Sequence, residues 1–255
     1  MHKPDRLDEH IPDPHSAGQY CEADCLELVG RDFRLSMEDG EEYAVAFLGG
    51  GAVSFSKLGS CARVLDCRCL KLADGTYFLF PGGKDTQAET PLYAALDLQT
   101  AQITLVNAGA NPTPRFGAVA ACGEPVLDEK SALSKDLEGT AILWRLGPQY
   151  GLLHRYGTDG QLRIAAAAPW EPAPETDGKA AEAAFVVKLR EDVYFIAAAS
   201  RAGAPLPELQ LMLADTNSIR FVGCCRFGGT SVPVAVSGYG AFLPPVTDTQ
   251  KEAVR

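Results

Sequence analysis

The run Tyr150-Gly151-Leu152-Leu153-His154-Arg155-Tyr156 holds the side chains best suited to chemistry in this chain. Side chains alternate across an extended strand, so Tyr150, Leu152, His154 and Tyr156 share one face while Gly151, Leu153 and Arg155 share the other. Two phenols, a leucine and an imidazole make an amphipathic face, which suits the wall of a ligand cavity. His154 is the one histidine beyond residue 15, and imidazole is the side chain that changes charge near neutral pH, as general acid or base catalysis requires. The competing role is a half-buried histidine that completes a hydrogen bond within its strand.

Other candidates are expected to serve the same cavity. Tyr194 can donate a hydrogen bond or act as a weak general acid, as can Tyr77, although aromatic residues are also good strand formers. Trp144 and Leu152 offer apolar surface. Lys188 and its counterpart Lys71 are expected at a rim, and Arg201 sits at a strand-loop junction where a guanidinium can meet a carboxylate. Tyr43 and Tyr93 are similar cases nearer the N-terminus.

Several alternatives lack support. Leu48-Gly49-Gly50-Gly51-Ala52 has no Gly-Lys-Ser/Thr ending, so it does not read as a phosphate loop. Cys67-Arg68-Cys69 and the Cys21/Cys25 pair lack partners at zinc-ligand spacing. His2, His10 and His15 sit in a segment expected to be a tail. No Gly-x-Ser-x-Gly elbow supports a serine hydrolase. The expectation is therefore chemistry without metal or cofactor.

These residues need a scaffold, and the sequence contains it twice. Lys71-Leu72-Ala73-Asp74-Gly75-Thr76-Tyr77-Phe78 is answered 117 positions later by Lys188-Leu189-Arg190-Glu191-Asp192-Val193-Tyr194-Phe195. Upstream, Leu28-Val29-Gly30 is answered by Leu137-Glu138-Gly139, 109 positions on. Downstream, Asp97 is answered by Asp215, 118 positions on. The drift is taken up by an insertion at Pro169 to Gly178. This pattern predicts a duplicated domain.

Within each half, short alternating runs are punctuated by Asp39-Gly40, Asp74-Gly75 and Asp159-Gly160, which are hairpin signals. Seven or eight strands without a convincing helix avoid exposed edges most simply by closing, and a barrel of about eight strands encloses packed side chains or one small ligand. The expected fold is all-β, with two tandem lipocalin-like antiparallel barrels. The expected division is a tail over 1–20, a first barrel over 21–109, a connector over 110–134, a second barrel over 135–246 and a tail over 247–255. The stretch Leu127 to Lys135 is expected to have helical character.

Composition excludes whole classes. Of 255 residues, 46% are hydrophobic and 22% charged, ordinary for a globular core. A net charge of −10 with no Lys/Arg run argues against nucleic acid or an anionic membrane surface. No uncharged apolar stretch reaches the roughly 18 residues of a membrane helix, and a cytoplasmic location is expected. The eight cysteines lie mostly in apolar strand-like runs and read as free thiols.

The two-copy layout, the strand bearing Tyr150, His154 and Tyr156, and the later Lys188-Leu189 and Asp192-Val193-Tyr194-Phe195 resemble the MoaF family, labelled molybdenum cofactor biosynthesis protein F. The resemblance spans residues 26 to 243 and implies lipocalin-like barrels. Leu153 stands where the family tends to have an acidic residue, and Arg163-Ile164 where it tends to have a tryptophan. Ala197-Ala198-Ala199-Ser200-Arg201 replaces a segment that usually carries a Trp and a Glu-Lys pair. The family is also similar in fold to phenolic acid decarboxylases, which work without a cofactor. The expected function is an isomerase, cyclase or lyase moving protons on a small apolar metabolite of secondary metabolism, with His154 as acid or base and Tyr150, Tyr156 and Tyr194 orienting the substrate. The alternative is a non-catalytic binding protein. A homodimer is compatible with either.

Overall fold

The computed structural model describes residues 17–21, 23–83, 92–108, 111–121, 131–167, 178–201, 203, 205–228 and 232–244. Alternation builds the strands. In β1 (Asp32–Met37), Phe33, Leu35 and Met37 are buried while Asp32 and Arg34 face solvent, the period of two that a half-covered strand requires. It continues through β2 (Glu42–Gly49), β3 (Ala52–Lys57), β4 (Arg63–Ala73), β5 (Thr76–Pro81), β6 (Tyr93–Asp97), β7 (Gln102–Asn107) and β8 (Thr113–Ala121). Each pairs antiparallel with the next, and β8 returns to β1, so the first sheet is a closed barrel.

The second half repeats this plan with β9 (Ala132–Leu133), β10 (Ala141–Gly147), β11 (Tyr150–Tyr156), β12 (Leu162–Ala167), β13 (Lys179–Ala180), β14 (Ala183–Arg190), β15 (Val193–Ala199), β16 (Leu209–Asp215), β17 (Arg220–Arg226) and β18 (Val234–Phe242). Its ten strands form one curled sheet that starts at β13 and ends at β9. The chain bridges the seam: β13 pairs with β12, and two residues later β14 pairs with β15. In the first barrel, one unbroken strand, β4, makes both pairings. The protein is all-β, two barrels from one duplication.

Equivalent residues repeat in detail. Gly30 and Gly139 both have φ near +80° and both donate their N–H groups into the second strand of their barrel, to Phe47 O at 2.8 Å and Tyr156 O at 2.7 Å. A side chain is disfavoured at that φ, which explains the two glycines. Leu28 and Leu137 each close one end of a barrel interior. Gly117 and Gly238, in the last strand of each half, are there for another reason. A Cβ would lie 2.8 Å from Ser36 O and 2.3 Å from Arg145 O respectively.

The halves meet through matching outer faces. Leu70, Leu72, Phe78 and Phe80 of the first barrel pack with Val187, Leu189, Phe195 and Ala197 of the second, residue for residue 117 positions on. Phe78 touches its own counterpart, Phe195, with ring centroids 5.9 Å apart. The interface therefore has the form of a twofold dimer built within one chain. It also explains why β5 and β15 read as continuous apolar runs, since both faces are covered.

Three boundaries differ from expectation. The strand β8, which closes the first barrel, lies inside the expected connector, where Pro114 and small residues masked it. Ala132–Leu133 is a strand edge on β14 rather than part of a helix, and residues 127–130 lie outside the description. Ala17, expected in the tail, is buried in the second barrel's core, and Gly18 N–H donates to Leu146 O at 3.0 Å. Residues 169–177, Cys122 and the three N-terminal histidines lie outside the described residues.

Candidate functional site

The second barrel brings Trp144, Tyr150, Leu152, His154 and Tyr156 together in one interior cluster. Register puts Ile142 beside His154 and Trp144 beside Leu152, and Trp144, Tyr150, Leu152 and His154 have 0% exposure. His154 spans the interior: its Nε2 lies 3.0 Å from Gln210 Oε1 and its Nδ1 lies 3.1 Å from the Tyr156 hydroxyl. An amide oxygen only accepts, so Nε2 carries the proton and Nδ1 accepts from Tyr156. Gln210 in turn donates to Met212 Sδ. Trp144 packs edge-on against both His154 and Phe221, and its buried Nε1–H has no acceptor at hydrogen-bonding geometry. Tyr150 donates to Pro205 O at 2.6 Å, tying the neighbouring loop over that end of the barrel.

Burial pushes the His154 pKa down to about 4, opposed only by its bond to Gln210. The imidazole is neutral at pH 7, and it has no exposed surface. This predicts a pH dependence with a definite sign. The folded pKa lies below the unfolded value of 6.5, so the unfolded chain binds more protons between the two. Stability is complete above pH 6.5 and declines as pH falls toward 4, by about 3 kcal/mol from this residue. Urea titrations at pH 7 and pH 4.5 should show the loss, and His154→Gln should remove its share; an unchanged pH slope would sink the assignment.

Tyr194 and Lys188 lie elsewhere, in a feature that both copies share. Lys188 Nζ contacts Asp136 Oδ2 at 2.7 Å and Glu191 Oε2 at 2.9 Å, while the Tyr194 hydroxyl donates to Asp136 Oδ2 at 3.3 Å. In the first barrel, Lys71 contacts Glu27 Oε1 at 2.6 Å and Asp74 Oδ1 at 2.8 Å, and Tyr77 donates to Glu27 Oε2 at 3.0 Å. The conserved spacing is a duplicated latch between a strand pair and the segment that carries Leu28 or Leu137. Arg201 is apart from both: its side chain is 80% exposed and pairs with Glu182 at 3.2 Å.

Open space borders both halves: clefts of about 310 and 450 Å³ reach Tyr156 in the second, and a roomier cavity lies in the first barrel. A cavity of about 660 Å³ opens where β3, β5 and β7 end, lined by Phe55, Leu65, Leu92 and Leu105 below and by Tyr43, Lys57, Arg63, Asp66 and Arg115 at the mouth. Its volume is in the range of small-molecule sites. Phe55, Leu92 and Leu105 also border a narrow apolar extension into the barrel. The sequence explains the difference between the copies. Trp144, His154, Gln210, Met212 and Phe221 of the second barrel correspond to Leu35, Val45, Leu92, Ala94 and Ile103 of the first. Leu35, Val45, Ala94 and Ile103 are smaller than their counterparts and leave room that the second barrel fills.

Tyr43, Lys57 and Arg115 at the mouth form one network with Asp39 and Glu41. Arg115 contacts Asp39 through Nε at 3.0 Å, Glu41 Oε2 at 2.6 Å and the Tyr43 hydroxyl at 3.2 Å. Lys57 reaches Glu41 Oε1 at 2.7 Å, and Tyr43 donates to Glu41. The Tyr43 ring stacks on Phe55 with centroids 4.8 Å apart. Hydrogen bonds from Lys57, Tyr43 and Arg115 hold the Glu41 pKa down at about 2, and burial, then the Glu41 contact, raise that of Tyr43. At neutral pH Glu41 is ionised and Tyr43 protonated. Sequence reasoning named Tyr43 but missed Arg115, which sits among prolines in the expected connector. Phe55 and Leu105 show only strand alternation.

Among the described residues, no three His, Cys, Asp or Glu side chains gather as metal ligands. No described helix is long and apolar enough to cross a membrane. No family model matches the chain, and no curated protein does.

Proposed function

We propose that this protein binds a small, largely apolar molecule in the first barrel, as a carrier or sensor. The observation that carries the reading is the cavity itself, about 660 Å³ with an apolar floor and a charged mouth, set against a second barrel in which Trp144, Tyr150, Leu152 and His154 have no exposed surface. The fixed charge states of Glu41 and Tyr43 suit holding and orienting a ligand better than exchanging protons with it. The second barrel then serves as a packed scaffold that covers the outer face of the first. A place in the MoaF family and a cytoplasmic setting belong to the same proposal.

Proton-transfer catalysis is the second reading, favoured by the convergence of Tyr43, Glu41 and Arg115 at the cavity mouth. There Tyr43 supplies an O–H donor and Arg115 a positive charge for a developing oxyanion. Native mass spectrometry of the gently purified protein, with released molecules identified, tests both. One apolar molecule per chain, unchanged after long incubation, is the expected result. Conversion of that molecule selects the enzyme; an empty protein that also fails to bind an apolar fluorescent probe overturns the site.

A further inference from the structure

The edge of β4 near the closed end of the first barrel carries two cysteines in register. Residues 24–26 run beside it where β9 runs beside β14: Cys25 N–H donates to Cys69 O at 2.7 Å, as Ser134 N–H donates to Val186 O at 2.8 Å. The β9–β14 pairing is antiparallel, so Cys25 and Cys69 are directly opposed. Opposed antiparallel residues have Cα atoms about 4.5–5.5 Å apart, inside the roughly 4.4–6.8 Å that a disulfide spans. Cys69 is buried in the barrel interior, Cys25 is half-buried against the same cluster, and both are free thiols. Cys25 is among the groups that act on the Cys69 thiol, whose pKa burial above all pushes up.

We propose that Cys25 and Cys69 form a modification site, a reversible cross-strand disulfide made by exchange with a low-molecular-weight disulfide such as oxidised glutathione. The more accessible Cys25 thiolate attacks one sulfur of the small disulfide, forming a mixed disulfide and releasing one thiol. Cys69, deprotonated, then attacks Cys25 Sγ and expels the second thiol. Two protein thiols are oxidised, one small disulfide is reduced to two thiols, and the two protons end on those thiols. The bond pins to β4 the segment that bears Glu27 of the latch and Leu28 at the barrel's closed end.

The other cysteines sharpen the selectivity. Cys224 and Cys225 are buried in the second half, Cys67 lies on the same strand as Cys69, and exposed Cys61 lines the cavity mouth. The variant C25S/C69V should fold, because Ser134 and Val186 occupy the equivalent positions in the second barrel.

The test is full-length reduced protein exposed to rising ratios of oxidised to reduced glutathione, followed by peptide mapping without reduction. The expected result is a Cys25–Cys69 peptide pair two hydrogens lighter than its thiols, with amide exchange at Leu28 and Arg31 slowed about tenfold. C25S/C69V should show neither effect. Glutathione adducts alone at Cys25 or Cys61, or a link from Cys25 to Cys21 or Cys67, would overturn the proposal. So would a Cys25–Cys69 link that leaves exchange at Leu28 and Arg31 unchanged, since the segment would not be pinned.

Discussion

Arg190→Met should lower the unfolding free energy at pH 7 by about 3–5 kcal/mol, the cost of leaving a buried charge without its partner. Asp97 has no exposed surface, and Arg190 Nη1, on the other barrel, reaches both of its carboxylate oxygens at 3.0 Å. Asp97 also accepts from the Gln99 N–H at 2.9 Å, a turn contact that Asp215 repeats with Asn217 in the second copy. The arginine has no counterpart, since Ala73 stands at the equivalent place in the first barrel. Burial raises the Asp97 pKa above 3.8 even with the Arg190 charge pulling it down. A carboxyl whose folded pKa is raised favours the folded state at low pH, and that contribution declines as pH rises through the folded pKa. Removing Arg190 raises the pKa further. The loss should therefore be large at pH 7 and small at pH 4, and Asp97→Asn in the same chain should recover most of it. Equal losses at both pH values in urea titrations would assign the effect to packing of the arginine stem.

How much of this was legible depended on whether a signal was local. The duplication was readable because Lys71/Tyr77 and Lys188/Tyr194 are held by the same contact in both copies, so their spacing could not drift. The contact itself was not readable, because Glu27 and Asp136 come from segments 44 and 52 residues away from their lysines. The strands were visible wherever large side chains alternate with polar ones, as in β1, and invisible in β8, where Gly117, Ala118, Val119 and Ala120 offer little contrast. His154 drew attention as a lone imidazole on an amphipathic face. What the sequence alone does not display is that this face meets Trp144, Gln210 and Phe221 from other strands and leaves His154 no exposed surface. The cavity follows from the same comparison in reverse. Leu35, Val45 and Ala94 are unremarkable core residues until they are set beside the bulkier residues that replace them one repeat later.

That comparison yields the sharpest functional test. Leu105→Trp should weaken binding of the cavity ligand more than 100-fold, while His154→Gln should leave affinity within about twofold. Leu105 borders both the open cavity and its narrow extension, so an indole there grows into the space that the ligand needs. Overpacking a filled core costs about 1–3 kcal/mol, but here the added volume has an opening beside it, and the barrel should stay folded. A 100-fold loss corresponds to about 2.7 kcal/mol, which is within reach of steric exclusion from a site of this size. His154→Gln acts on stability through its broken contacts with Gln210 and Tyr156, in a different barrel from the ligand. Probe titrations on both variants, with folding checked by the buried aromatic signals, separate the two sites. Binding lost in His154→Gln and kept in Leu105→Trp would move the ligand to the second barrel. It would also require the side chains packed around His154 to move on binding, since His154 has no exposed surface.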